Sequence, residues 1–163
     1  MNLYLLRHAI AVPRGTPGYP NDDRPLTDDG RAKMVEAARG FRHIITDLEL
    51  ILTSPLIRAR DTAIIASDAL MKVPVEIFEP LSPNSSPSTV FSALGKFRRK
   101  ERIMLVGHEP SLSTLSALLI GTSLPFIEFK KGGICRIDID HVPPGGAGSL
   151  IWHLTPKILK RMG

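Results

Sequence analysis

The chain opens Met1-Asn2-Leu3-Tyr4-Leu5-Leu6-Arg7-His8-Ala9. Its apolar run, residues 3–6, is short and bounded, the length of a buried strand and too short for a helix. The run stops at Arg7-His8, a fixed cation followed by the side chain that most readily acts as base or nucleophile near neutral pH. In open α/β sheets, ligands bind beyond the carboxyl ends of the strands. The first strand therefore delivers an anion binder and a nucleophile where a site belongs. The dipeptide alone does not carry that reading, because Arg42-His43 repeats it at an expected helix end.

Outward from this strand, strands and helices alternate. Residues 11–25 include Pro13, Pro17, Pro20 and Pro25 among Gly, Asp and Asn, which predicts an irregular loop. A long loop directly after a site-bearing strand often shapes that site. Thr27 reads as a helix N-cap with Asp28 and Asp29 in the first turn. The helix is expected to reach about His43, with Val35, Ala38, Phe41 and Ile45 on its apolar face. Residues 48–52 read as a second strand, after which Ser54 caps and Pro55 starts a helix running to about Leu70. Arg58 falls in the first turn of that helix, beside backbone N–H groups that favour an anion. Arg60 faces elsewhere and reads as an exposed helical arginine.

Residues 73–78 form a third short strand, followed by a Ser- and Pro-rich stretch over 80–88 and a helix over about 87–99. Residues 102–106 make another buried strand, ending in Gly107-His108-Glu109-Pro110, with a helix over 111–120 behind it. Residues 134–139 and 150–154 alternate as strands around Pro143-Pro144-Gly145-Gly146. This order predicts one α/β domain over residues 1–163, with a mostly parallel central sheet and helices on both faces.

Bulk properties narrow the function. With 163 residues, 43% hydrophobic and 23% charged, the chain is an ordinary globular domain with enough length for a core. No apolar run approaches the roughly 20 residues of a membrane span, and Arg7 interrupts the N-terminal run too early for a signal peptide. A single cysteine, Cys135, permits no internal disulfide and suits a reducing cytoplasm, the expected compartment. The net charge of +5 sits in short, separated clusters, such as Lys96-Phe97-Arg98-Arg99-Lys100, nearly without interleaved aromatics. They read as a solvated face, and no nucleic-acid partner is expected. The positive field assists encounter with acidic or phosphorylated partners.

Junctions at strand and helix ends thus present Arg7, His8, Arg58 and His108, which a doubly wound sheet can gather at one edge. Two guanidiniums hold phosphate oxygens as planar forks, and a neutral imidazole can attack phosphorus to form a covalent intermediate. The set suits phosphoryl transfer. Leu-Arg-His-Ala, then Thr-Ser-Pro-Leu-Ile-Arg-Ala-Arg-Asp-Thr-Ala, then Val-Gly-His-Glu-Pro-Ser-Leu-Ser resembles the histidine phosphatase, or phosphoglycerate mutase-like, superfamily. Asp23-Arg24-Pro25-Leu26-Thr27, Phe129-Lys130-Lys131-Gly132-Gly133 and Trp152-His153-Leu154-Thr155-Pro156-Lys157 resemble its SixA-type phosphohistidine phosphatase branch.

The resemblance implies a phosphoglycerate mutase-like fold, with His8 as the phosphorylated nucleophile. It implies that Arg7 and Arg58 grip the phosphoryl oxygens, His108 completes the pocket, and Arg24 reaches in from the long loop. It implies a phosphohistidine-bearing protein as partner and no membrane. No cofactor or metal is expected, and no metal-ligand spacing appears.

The chain departs from the family pattern at one point. Many members carry a leaving-group acid after the third strand, where this chain has Leu81-Ser82-Pro83. Glu79 is the nearest alternative acid. Glu109 adjoins His108, but a helix N-terminus would keep it ionised. A missing acid handicaps phosphate esters more than phosphohistidine, whose imidazole can leave already protonated near neutral pH. The short segment before Arg102 leaves no large insertion for a lid, which favours a histidine on another protein's surface as substrate. A small-molecule phosphomonoesterase of the same superfamily and a non-catalytic phosphoprotein-binding module remain open at this point.

Overall fold

The computed structural model describes residues 1–163, the side chain of Asn21 excepted. Six strands form one sheet: β1 Asn2–Arg7, β2 Leu50–Thr53, β3 Val75–Ile77, β4 Arg102–Gly107, β5 Ile134–Asp138 and β6 Ser149–Leu154. They lie in the order β3-β2-β4-β1-β5-β6. β3, β2, β4 and β1 run parallel, while β5 and β6 pair antiparallel at the far edge.

The helices are α1 Asp28–Arg39, α2 Ile57–Ala69, α3 Pro87–Leu94, α4 Ser111–Leu119 and the short α5 Pro156–Leu159. None is long and apolar enough to cross a membrane among the described residues. Strand alternation divides the core. Tyr4, Leu6, Ile51, Met104 and Val106 pack with Met34, Ala37, Phe41, Ala59, Ala63 and Leu159 on the face of α1, α2 and α5. Leu3, Leu5, Leu50, Leu52, Ile103 and Leu105 pack with Val90, Leu94, Leu112 and Leu115 on the face of α3 and α4.

That division positions the site. The chain leaves β1 toward one face and leaves the adjacent β4 toward the other, which opens a crevice at the carboxyl ends of the two strands.

Some local expectations are corrected. Thr27 caps α1, accepting from Gly30 N–H at 2.9 Å, but the α-helix stops at Arg39 and continues to His43 as a tighter 3₁₀ turn. Gly40 lies against the Leu159 carbonyl, where a Cβ would overlap it. Val35 is 42% exposed, because Met34, Ala37 and Ala38 form the buried stripe instead. Ser54 and Pro55 precede α2 without entering it, and Leu56 holds the cap position. β3 is only Val75–Ile77, and α3 ends at Leu94 before a 3₁₀ turn.

Candidate active site

Parallel register brings the two histidines together. Arg7 pairs with Gly107, and His8 N–H donates to the Gly107 carbonyl at 3.0 Å. His8 and His108 therefore leave the sheet at the same level, with ring centroids 5.1 Å apart. Beyond the paired Thr53 and Val106, Ser54 N–H donates to the Val106 carbonyl at 3.0 Å, and Ser54 Oγ stands 2.8 Å from His108 Nε2. Arg58 enters from the first turn of α2, only 2% exposed.

One tautomer of His8 is fixed by its neighbour. Nδ1 lies 2.7 Å from the Ala9 carbonyl, which can only accept, so Nδ1 carries the hydrogen and Nε2 keeps its lone pair. The backbone beside it is anchored as well: Ala9 N–H donates to Thr62 Oγ1 at 3.0 Å, and the Thr62 hydroxyl donates to the Arg58 carbonyl at 2.7 Å.

The arginines are each held by main chain. Arg7 Nη1 donates to the Phe129 carbonyl at 2.5 Å, Arg58 Nη1 to the Asp22 carbonyl at 2.9 Å, and Arg24 Nη1 to the Val12 carbonyl at 2.6 Å. The Asp22 carboxylate also accepts from Arg58 Nη2 at 2.8 Å and from Arg24 Nε at 2.6 Å. In contrast, Arg7 Nε, Arg58 Nε and His108 Nδ1 are buried with no hydrogen-bond partner among the described residues. Arg7 and Arg58 are thus held through their terminal nitrogens and keep an unpaired Nε–H among the described residues. Oxyanion oxygens match such forks.

The electrostatics keep both imidazoles neutral. Burial pushes His8 down to about 3; the Ala9 carbonyl opposes this, and Arg58, Arg7 and Lys131 add to it. Burial likewise pushes His108 down to about 3, joined by His8 and Arg58, with Asp22 opposing. The arginines therefore help, but burial leads. For Asp22 burial works upward, and the hydrogen bonds from Arg24 and Arg58 overcome it, holding the carboxyl down at about 2. Burial pushes the Cys135 thiol up to about 12, which leaves it inert as a nucleophile.

Of the residues singled out in the sequence, Arg7, His8, Arg58 and His108 come together, and Arg24 joins them through Asp22. Arg60 is exposed, as expected. Glu79 stands apart: it is exposed on the 3₁₀ turn Glu79–Leu81 and makes no hydrogen bond or ion pair with any of the four among the described residues. Pro83 lines a groove of about 510 Å³ with Arg14, Tyr19, Asp22, Arg24 and Leu56. Glu109 is engaged elsewhere, accepting from Phe129 N–H at 3.2 Å.

Sequence reasoning missed Asp22 and misread Ser54. The run Asn21-Asp22-Asp23-Arg24 signalled an acidic group near the loop arginine, but nothing local linked it to Arg58. No group of three or more His, Cys, Asp or Glu side chains suited to a metal ion occurs among the described residues.

Comparison with known proteins gives the family. Residues 3–82 match the Histidine phosphatase superfamily (branch 1). An uncharacterized protein of Picosynechococcus sp. is 35% identical over 138 residues, 82% of each chain. The chain belongs to the histidine phosphatase superfamily. Within it, the chain is similar to the phosphohistidine phosphatase SixA of Escherichia coli (strain K12), 24% identical over 163 residues, which covers 98% of this chain and 97% of that one. The solved structure of the protein histidine phosphatase SixA complexed with tungstate superposes with a TM-score of 0.83 at 24% identity, covering 98% of this chain and 99% of that one. The fold is thus the phosphoglycerate mutase-like fold of SixA.

Proposed function

We propose that this protein is a phosphohistidine phosphatase, removing phosphate from a histidine on a partner protein through a phosphorylated His8. The observation that carries the reading is the pairing of a free His8 Nε2 lone pair with two arginines, Arg7 and Arg58, whose buried Nε–H groups have no acceptor among the described residues. A buried donor without an acceptor costs about 1–3 kcal/mol, and a phosphoryl group supplies the missing oxygens.

In the first step His8 Nε2 attacks phosphorus, the substrate's P–N bond breaks, and the phosphoryl group passes to His8. Arg7 and Arg58 hold its oxygens, with Arg24 at the loop side, and His108 lines the pocket as a neutral imidazole. Near neutral pH the substrate imidazole carries a proton on its far nitrogen, so it departs neutral without an acid from the enzyme. In the second step water attacks phosphorus and the bond to His8 breaks. One of its protons stays on the inorganic phosphate, and the other passes to solvent.

Three further features support this reading. Leu81-Ser82-Pro83 occupies the stretch after the third strand where a leaving-group acid is expected, and Glu79 is exposed with no hydrogen bond or ion pair to His8 or His108 among the described residues. The Escherichia coli relative is named a phosphohistidine phosphatase, and the SixA structure with the same fold holds tungstate, a tetrahedral oxyanion. Between β3 and β4 the chain builds only α3 and short 3₁₀ turns, so a protein surface can approach.

One observation favours a second reading. A cleft of about 130 Å³ beside His108, lined by Leu81, Val90, Leu112 and Leu115 among others, suits the apolar leaving group of a small phosphomonoester. Incubation with a panel of phosphohistidine proteins and phosphate esters, scored by release of inorganic phosphate, separates the two. Faster release from phosphohistidine protein is expected; faster release from sugar phosphates would support the phosphomonoesterase.

A further inference from the structure

Glu109 immediately follows His108 at the end of β4, yet its carboxylate turns toward the chain between α4 and β5. Oε1 accepts from Phe129 N–H at 3.2 Å, and Oε2 lies 2.7 Å from the Ser113 hydroxyl. That hydroxyl is also 2.6 Å from the Ile127 carbonyl, so its single hydrogen serves two acceptors. The Phe129 residue thus braced is fully buried, and its carbonyl is the one that holds Arg7 Nη1 at 2.5 Å. The chain that follows grips the end of β1 directly: Gly132 N–H donates to the Arg7 and His8 carbonyls, and Arg7 N–H donates to the Gly133 carbonyl. A continuous path therefore runs from Glu109 through the Phe129 backbone to the Arg7 guanidinium.

We infer that Glu109 is a positioning residue, which fixes the Phe129 backbone and through it the orientation of Arg7. The inference rests on the phosphate-gripping role proposed for Arg7. It gives the carboxylate a purpose other than proton donation, despite its place next to His108. Both of its oxygens face hydrogen-bond donors on the 113 and 129 side, none of them belonging to His8 or His108.

The chemistry of the brace makes glutamine a discriminating substitute. In Glu109→Gln the amide oxygen still accepts from Phe129 N–H. The amide nitrogen donates to Ser113 Oγ, which frees the Ser113 hydrogen for the Ile127 carbonyl. Every bond of the brace survives, whereas any acid function is abolished. Glu109→Ala instead leaves a buried N–H without its acceptor and lets the Arg7 anchor shift.

The test is a kinetic comparison on aryl phosphate and phosphohistidine protein, with tungstate inhibition measured alongside. Glu109→Ala should lose about ten- to a hundredfold in kcat/KM and weaken tungstate inhibition in parallel, as expected for a lost hydrogen bond to a charged group. Glu109→Gln should recover both to within about threefold, with an unchanged pH profile. If Glu109→Ala does not fold, Glu109→Asp, one methylene too short for the brace, takes its place. A double-mutant cycle with Arg7→Ala completes the experiment. If Glu109 acts through Arg7, its substitution costs little further in the Arg7→Ala background.

The inference alone would be overturned by a Glu109→Gln loss as large as that of Glu109→Ala, or by a full additional loss on top of Arg7→Ala. A Glu109→Ala variant within threefold of the parent would also overturn it. An unimpaired Arg7→Ala would instead remove the functional reading, and this inference with it.

Discussion

Burial of the paired histidines has a consequence for pH that separates this site from one built on ordinary imidazoles. At pH 5 an imidazole with the usual pKa near 6.5 is only about 3% neutral. His8, pushed down to about 3 by burial and by Arg58, Arg7 and Lys131, stays almost wholly neutral there. The nucleophile should therefore remain available, and the predicted gain in competent enzyme at pH 5 is about thirtyfold over an unperturbed histidine. The assay is kcat/KM for an aryl phosphate between pH 4 and 8, quenched in base and corrected for the substrate's own ionisation. Imidazole NMR titration, assigned with His8→Ala and His108→Ala, reads the same groups directly. No loss attributable to enzyme protonation should occur between pH 7 and pH 5. Because burial is the leading cause, Arg58→Gln should raise the His8 pKa but leave it below the usual value. Titration of His8 near 6.5 in the parent enzyme would refute the reasoning.

Other outcomes follow from the same geometry. Both histidines have folded-state values depressed below the unfolded one, so their contribution to stability is complete above about pH 6.5 and is lost as pH falls toward the folded value of about 3; the acid limb of Tm should flatten in His8→Ala, as calorimetry can check. Arg58→Ala should lose on the order of a hundred- to a thousandfold in kcat, typical of a removed oxyanion donor, whereas exposed Arg60→Ala should change steady-state rates little. Glu79→Gln should keep phosphohistidine turnover within about tenfold, since general acid catalysis is usually worth a hundred- to ten-thousandfold. A loss of that larger size, with the fold intact by circular dichroism, would make Glu79 the acid.

Arg7, His8 and His108 were legible because each sits where a short apolar run stops, and Arg58 because it falls in the first turn of the helix that follows one; parallel register carries His8 and His108 to one level without further information. What escaped depended on contacts distant in sequence. Asp22 holds Arg58 across 36 positions, with its backbone in the left-handed region at φ 63°, and no local pattern announces that pair. Ser54 has the same local signature as a helix cap, yet its hydroxyl partner is His108, 54 positions on. Val35 looked like a core residue by spacing, but Met34, Ala37 and Ala38 form the face that meets the sheet. Arg7 and Arg58 lie next to His8 and depress it, as proximity of like charge requires. The larger contribution is burial, which only the packed structure reveals.

Rapid-quench phosphorylation followed by peptide mass spectrometry shows whether His8 carries the phosphoryl group. Brief exposure to substrate should place one phosphoryl group on His8, stable in base, lost in acid, and absent from His8→Ala. Label that survives acid, or that persists in His8→Ala, would contradict the account and point to a serine or threonine nucleophile.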